Sequence, residues 1–150
     1  MIPPPPRSTL SPSSAASDVY KRQVGKRKTA IARAYIKEGG QGRITINKIP
    51  WFLWGTELAR SKIYPLLLLC KDHIRKVDIE VSVKGGGVMG QATAVASAIA
   101  RGLRAYTRSK TLEQLIKTYD RYLLAGDPRR KEPKKYGGPG ARRRDQTSYR

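Results

Sequence analysis

A chain of 150 residues with a formal net charge of +20 and a sequence pI near 10.6 has room for one domain with a modest core plus appendages, and two full domains would be cramped. Its single cysteine, Cys70, and single histidine, His73, exclude an intramolecular disulfide and a zinc site, and no cofactor is expected. The longest apolar run, Leu66 to Cys70, is five residues, against the roughly 20 that a membrane-crossing helix needs, so a soluble intracellular protein with a polyanionic partner and no membrane contact is expected.

Residues 1–23, MIPPPPRSTLSPSSAASDVYKRQ, are rich in proline, serine and alanine, show no apolar period, and are set aside from the fold as a disordered or artefactual extension. The folded domain is placed at 24–126 and an extended basic tail at 127–150. Net charges of +2, +12 and +6 on these three segments put most of the excess on the domain.

Val24 to Lys37 alternates as one strand. Ala30, Ala32, Ala34 and Ile36 form a face on which a helix can approach closely. Arg27, Thr29, Ile31, Arg33, Tyr35 and Lys37 form a face that mixes cations with an aromatic ring, suited to phosphates and bases. The glycines within Glu38–Gly42 predict a hairpin turn, Arg43 to Ile49 a second strand ended by Pro50, and Trp51 to Trp54 a core or subunit contact.

A helix is expected from Thr56, its N-cap, to Tyr64, with Pro65 opening a second short turn through Leu69. His73 has no nucleophile or carboxylate cluster beside it, so catalysis is not expected there. Val77 to Lys84 is a clean strand. After Gly85, Gly86 and Gly87 a helix begins, with Val88, Ala92, Val95, Ala96, Ile99, Leu103 and Tyr106 on one stripe and Arg101, Arg104 and Arg108 on another.

Glycines before a helix can bind phosphate through bare amides, yet GGGVMGQ has neither the Gly-Lys-Ser/Thr ending of a P-loop nor GxGxxG spacing. A phosphotransferase would also need carboxylates to hold Mg²⁺ near the turn. The same amides would suit an RNA backbone. A last helix runs from Leu112 to about Ala125, with Thr111 and Gln114 at capping-box spacing and Leu112, Leu115, Ile116, Tyr119 and Leu123 as its stripe. Beyond Gly126, Pro128, Pro133, Pro139 and the glycines at 137, 138 and 140 rule out helix and strand, and alone in water this tail should be disordered.

Five stretches together resemble the small-subunit ribosomal protein nine family in its archaeal and eukaryotic branch: GKRKTAIARA at 25–34, VDIEVSVKGGG at 77–87, GQATAVASAIARGL at 90–103, YDRYLLAGDPRRKEPKKYGGPGAR at 119–142, and the final SYR at 148–150. The resemblance implies a two-layer α/β (α+β) domain like the second domain of small-subunit ribosomal protein five, with a left-handed βαβ crossover that periodicity does not reveal and the general rule opposes. It implies a structural, non-enzymatic cytoplasmic role in the head of the small subunit, on the 3′ major domain of its rRNA, beside neighbouring ribosomal proteins, with the tail reaching the P-site tRNA.

Matched to this sequence, Lys26, Arg27, Lys28 and Arg33 are expected to face rRNA, as are the turn Gly85, Gly86 and Gly87 and the tail cations Arg129, Arg130, Lys134 and Lys135. The arginines of the long helix, Arg101, Arg104 and Arg108, and the run Arg142, Arg143 and Arg144 join them on charge. Ser148, Tyr149 and Arg150 match the tRNA-proximal tip. Here Arg143 replaces an alanine of the family pattern, Asp145 fills a variable position and Thr147 replaces a lysine, which changes the charge near that tip. Composition alone also admits a nonspecific basic DNA-binding protein.

Overall fold

The computed structural model describes residues 21–148; the segment 1–20 and the tip residues Tyr149 and Arg150 lie outside the described residues. Five strands make one mixed sheet: β1 (Lys21–Arg27), β2 (Ala30–Glu38), β3 (Ile44–Ile46), β4 (Ile49–Pro50) and β5 (Val77–Lys84). Their spatial order is β1-β2-β5-β3-β4, antiparallel except for the parallel pair β3 and β5. The helices α1 (Glu57–Leu69), α2 (Lys71–Ile74), α3 (Val88–Thr107), α4 (Lys110–Tyr119) and α5 (Arg121–Ala125) cover one face and leave the other open.

The expected continuous strand from Val24 to Lys37 is a hairpin. Lys28, at φ 53°, reverses the chain, and Arg27 pairs with Ala30. Paired residues point to the same side, so the two-residue loop shifts the alternation by one. Arg27 therefore turns to the helix side, with Gly25, and not to the open face that continuous alternation assigns it. The strand also begins at Lys21, so residues 21–23 belong to the sheet and not to the segment set aside from the fold.

Two further expectations about strands fail for related reasons. Glu38–Gly42 does not join a hairpin, because β5 lies between β2 and β3. Asp78 on β5 organises that connection by accepting the amides of Gln41 and Arg43 through Oδ1, both at 2.9 Å. The stretch Arg43–Ile49 is broken at Asn47 (φ 51°) and Lys48 (φ 68°), whose positive angles make the turn of a second tight hairpin. Asn47 then extends the ladder with its side chain, Oδ1 accepting from Val83 N at 2.9 Å and Nδ2 donating to Val83 O at 3.2 Å.

Thr56 caps α1 as expected, but the helix runs through Pro65 to Leu69. Ile63, Leu66 and Leu67 are buried on both sides of the proline, and this packing outweighs the one backbone bond that proline cannot make. Trp54 is in the core, whereas Trp51 stacks on Tyr64 at 6.2 Å and leaves Phe52 and Leu53 exposed. The last expected helix is two: α4 is capped by Ser109, not Thr111, and Asp120 ends it while capping α5 through Tyr122 N at 2.8 Å. Leu115 and Tyr119 of its proposed stripe are exposed; Leu112, Ile116 and Leu123 are buried.

β5 lies where alternation places it, with Val77, Ile79, Val81 and Val83 buried. The long α3 is buried on most sides, since it faces the sheet, α1 and α5. It approaches β1 backbone to backbone: a Cβ on Gly25 would stand 2.2 Å from Ala94 O and 2.5 Å from Ala98 N. The alanines of β2 continue that shallow surface.

Gly25→Ala is expected to lower the unfolding free energy by about 1–3 kcal/mol or more, since backbone atoms must move to admit the methyl group. Gly102→Ala meets only the flexible end of Ile36, 2.7 Å away at Cδ1, and should cost clearly less. Urea midpoints of the two variants check the order, and equal losses would contradict the close-approach account.

Candidate nucleic-acid interface

The sheet places Lys26, Arg33, Lys84 and the turn residue Lys28 on or beside its open face, all exposed. Gly85 (φ 77°) and Gly86 (φ 70°) have backbone angles suited to glycine, and a Cβ on Gly85 would come within 2.7 Å of Thr29 O. Their turn is thus pressed against the start of β2. Gly87 is the N-cap of α3, with open space where a Cβ would sit. Between this turn and the β1–β2 hairpin is a hollow of about 580 Å³, with Arg27, Lys28 and Lys62 on its walls.

The arginines of α3 do not form a row of free cations. Arg101 donates from Nε to Leu124 O at 2.9 Å and from Nη1 to Val24 O at 2.8 Å, joining α5 to β1. Arg104 bonds Glu113 Oε2 at 3.0 Å, and Lys117 reaches the other carboxylate oxygen at 2.7 Å, so Glu113 is held below its ordinary range, chiefly by Lys117. Arg108 adopts the left-handed angle that ends α3.

Asp127 receives the chain as it leaves α5. Its carboxylate is nearly buried and accepts four hydrogen bonds from Arg129: Oδ1 from the backbone amide at 2.9 Å and from Nε at 3.0 Å, and Oδ2 from Nε at 3.0 Å and from Nη2 at 2.6 Å. Arg27 Nη1 lies 2.5 Å from Oδ2 as an ion pair without hydrogen-bond alignment. The hydrogen bonds from Arg129, followed by the charges of Arg129 and Arg27, hold the Asp127 carboxyl well below the usual carboxylate range, and Arg129 is raised in return. Periodicity could not have found this site, because it exists only once the hairpin has turned Arg27 inward.

From this anchor the tail root crosses to the open side. Arg129, Arg130 and Lys131 line a hollow of about 1080 Å³ together with Lys26, Arg27 and Lys28. Residues 126–148 contain no helix or strand, yet part of the tail closes on itself. Arg142 pairs with Glu132 at 2.9 Å, Arg144 donates to Tyr136 O at 2.6 Å, and Asp145 N donates to Gly137 O at 3.2 Å. Lys134, Lys135 and Arg143 stay exposed. Of the expected tip, only Ser148 is described; its carbonyl accepts from Gln146 at 2.7 Å.

Residues 25–150 match the model of the family described as Ribosomal protein S9/S16. The chain is similar to a protein of Pyrobaculum aerophilum named small ribosomal subunit protein uS9, 53% identical over 127 residues that make up 85% of this chain and 89% of that protein. A protein of the same name from Desulfurococcus amylolyticus is 53% identical over 140 residues, 92% of this chain and 99% of its own length. One from Methanothrix thermoacetophila is 50% identical over 126 residues, 84% and 95% of the two chains.

The Asp127 anchor sets a pH dependence. A carboxyl with a lowered folded pKa stabilises above its unfolded pKa of about 3.9, and that stabilisation drains away as pH falls from there through the lower folded value, where the folded carboxyl itself takes up its proton. The Arg129 amide resonance should therefore hold its shift from pH 7 to 4 and move below that. A midpoint near pH 4 would show that the carboxylate is not engaged.

Proposed function

The chain belongs to the ribosomal protein S9/S16 family, and on that premise we propose that it is a structural constituent of the small ribosomal subunit that binds rRNA of the head and extends its tail toward the P-site tRNA. It is a cytoplasmic ribosomal protein and not an enzyme. The observation that carries the RNA reading is the convergence of strand and tail: Lys26 and Lys28 face Arg130 and Lys131 across one hollow. Cations brought from distant parts of the chain to one concavity match the regular charge of a phosphate backbone.

We further propose that the fold is of the type of the second domain of small-subunit ribosomal protein five; the parallel pair β3 and β5, joined through β4, α1 and α2, supports that reading and is where its left-handed crossover would lie.

Within this reading the cations divide by role. Lys26, Lys28, Arg33, Arg130, Lys134, Lys135 and Arg143 are exposed for phosphates, and Gly85 to Gly87 bring backbone amides beside them. Arg27, Arg101 and Arg104 act one step back, holding the surface that others present. The described tail loop, with Arg142 and Arg144 closing it, leads to Ser148; Tyr149 and Arg150 complete the tRNA-proximal tip. Neighbouring ribosomal proteins of the head are the protein partners.

Affinity for a head-domain rRNA fragment should fall steeply with salt, and Lys26→Ala combined with Lys28→Ala should reduce the log–log slope by about 1–2. An unchanged affinity between low and moderate salt would overturn the electrostatic account. Equal affinity for competing duplex DNA would favour nonspecific DNA binding. Removing Arg142 to Arg150 should leave assembly into subunits intact and weaken P-site tRNA binding; a truncated chain that fails to enter subunits would overturn that division of labour.

A further inference from the structure

Two hollows on the open side of the sheet share a floor. The larger lies between the β1–β2 hairpin and the tail root; the smaller, about 300 Å³, lies between β2 and β5 with Arg33, Ser82 and Lys84 on its walls. Thr29 and Ile31 line both. Ile31 stands directly across the ladder from Lys84 and is the one large apolar side chain in either lining, 37% exposed. Cations therefore flank an apolar centre along one path, from Lys131 and Arg130 past Lys26 and Lys28 to Arg33 and Lys84.

We propose that the two hollows are one continuous track for a single RNA strand, with its phosphates on these cations and a base seated on Ile31. The proposal rests on the RNA-binding reading above and sharpens it to the form of RNA that this surface takes. An A-form duplex offers a protein phosphates, 2′-hydroxyls and the shallow-groove edges of stacked bases, so it has no free base face for Ile31. A single strand can turn a base inward while its phosphates follow the walls, which buries the apolar side chain and satisfies the cations together. The track also enlarges the contact set, since Lys84, Lys131 and Ile31 join the residues that charge and resemblance point to.

The test uses the full chain, with fluorescence anisotropy at one fixed salt concentration. The probes are a labelled non-self-complementary RNA of about 12 nucleotides and the duplex made by annealing its complement. The single strand should bind about tenfold more tightly than the duplex, and Ile31→Ser should weaken the single strand by roughly threefold to tenfold with little change for the duplex. Duplex binding as tight as or tighter than single-strand binding would overturn the track and leave the RNA reading standing, as would an Ile31→Ser protein, folded by its thermal melt, with undiminished single-strand affinity. Binding to neither probe would overturn both. The comparison between probes needs no variant, so it holds whatever Ile31→Ser does to folding.

Discussion

The seating of α3 on Gly25 is the constraint from which the arrangement of the functional surface follows. Because no side chain separates the helix from β1 at that point, α3 lies close enough for Arg101 to reach Val24 O on one side and Leu124 O on the other. Ser97, buried on the same helix, donates from Oγ to Leu123 O at 2.7 Å. These bonds fix α5 against α3, and α5 delivers Asp127 to Arg27. The tail root is thus positioned by a chain of contacts that begins with the absence of a methyl group.

Electrostatics gives this chain of contacts a second purpose. With 31 lysines and arginines against 11 carboxylates, the cations far outnumber the carboxylates that could neutralise them, and their repulsion opposes folding. The acidic side chains at the domain's joints are correspondingly well used. Asp78 organises the loop before β3, Glu113 joins α3 to α4, and Asp127 serves strand and tail together. A polyanion that binds only the folded chain would stabilise it through mass action as well as by relieving repulsion.

Strong local signals were legible in the sequence where one face was buried and no turn intervened. Val77 to Lys84 is such a case, and so is the alanine face of β2; the turn before α3 was legible from its three consecutive glycines instead. The β1–β2 hairpin was hidden because a two-residue turn of Lys28 and Thr29 carries no glycine, and alternation resumes with only a phase shift. That single step decides whether Arg27 belongs to the RNA-facing set or to the tail anchor. Asn47 and Lys48 concealed a second hairpin in the same way, though an asparagine suited to positive φ was the available clue. Arg101 shows another limit: charge marks a residue as a candidate for phosphate, but only geometry shows that its donors already belong to two carbonyls. Composition located the basic tail and the family resemblance divided it into a basic root and a tip, while the way the root meets the sheet depends on the hairpin that turns Arg27 toward Asp127.

The tail itself combines both kinds of information. Its proline and glycine content excludes regular structure, and the absence of helix and strand over residues 126–148 agrees. Irregular does not mean shapeless, however. A Cβ on Gly138 would lie 2.0 Å from Arg143 O, and Gly137 sits at φ 88°, so the two glycines let the chain turn tightly enough for Arg144 to reach Tyr136 O. The loop closes with arginine donors on backbone and on Glu132, which reduces the number of chain conformations left to be ordered when RNA binds. With Asp127 fixing the root and the glycines fixing the bend, the loop is closed by Arg144 on Tyr136 O and by the backbone amide of Asp145 on Gly137 O, so the side chains of Asp145 and Thr147 change the charge of this part of the tail without supplying the bonds that close it.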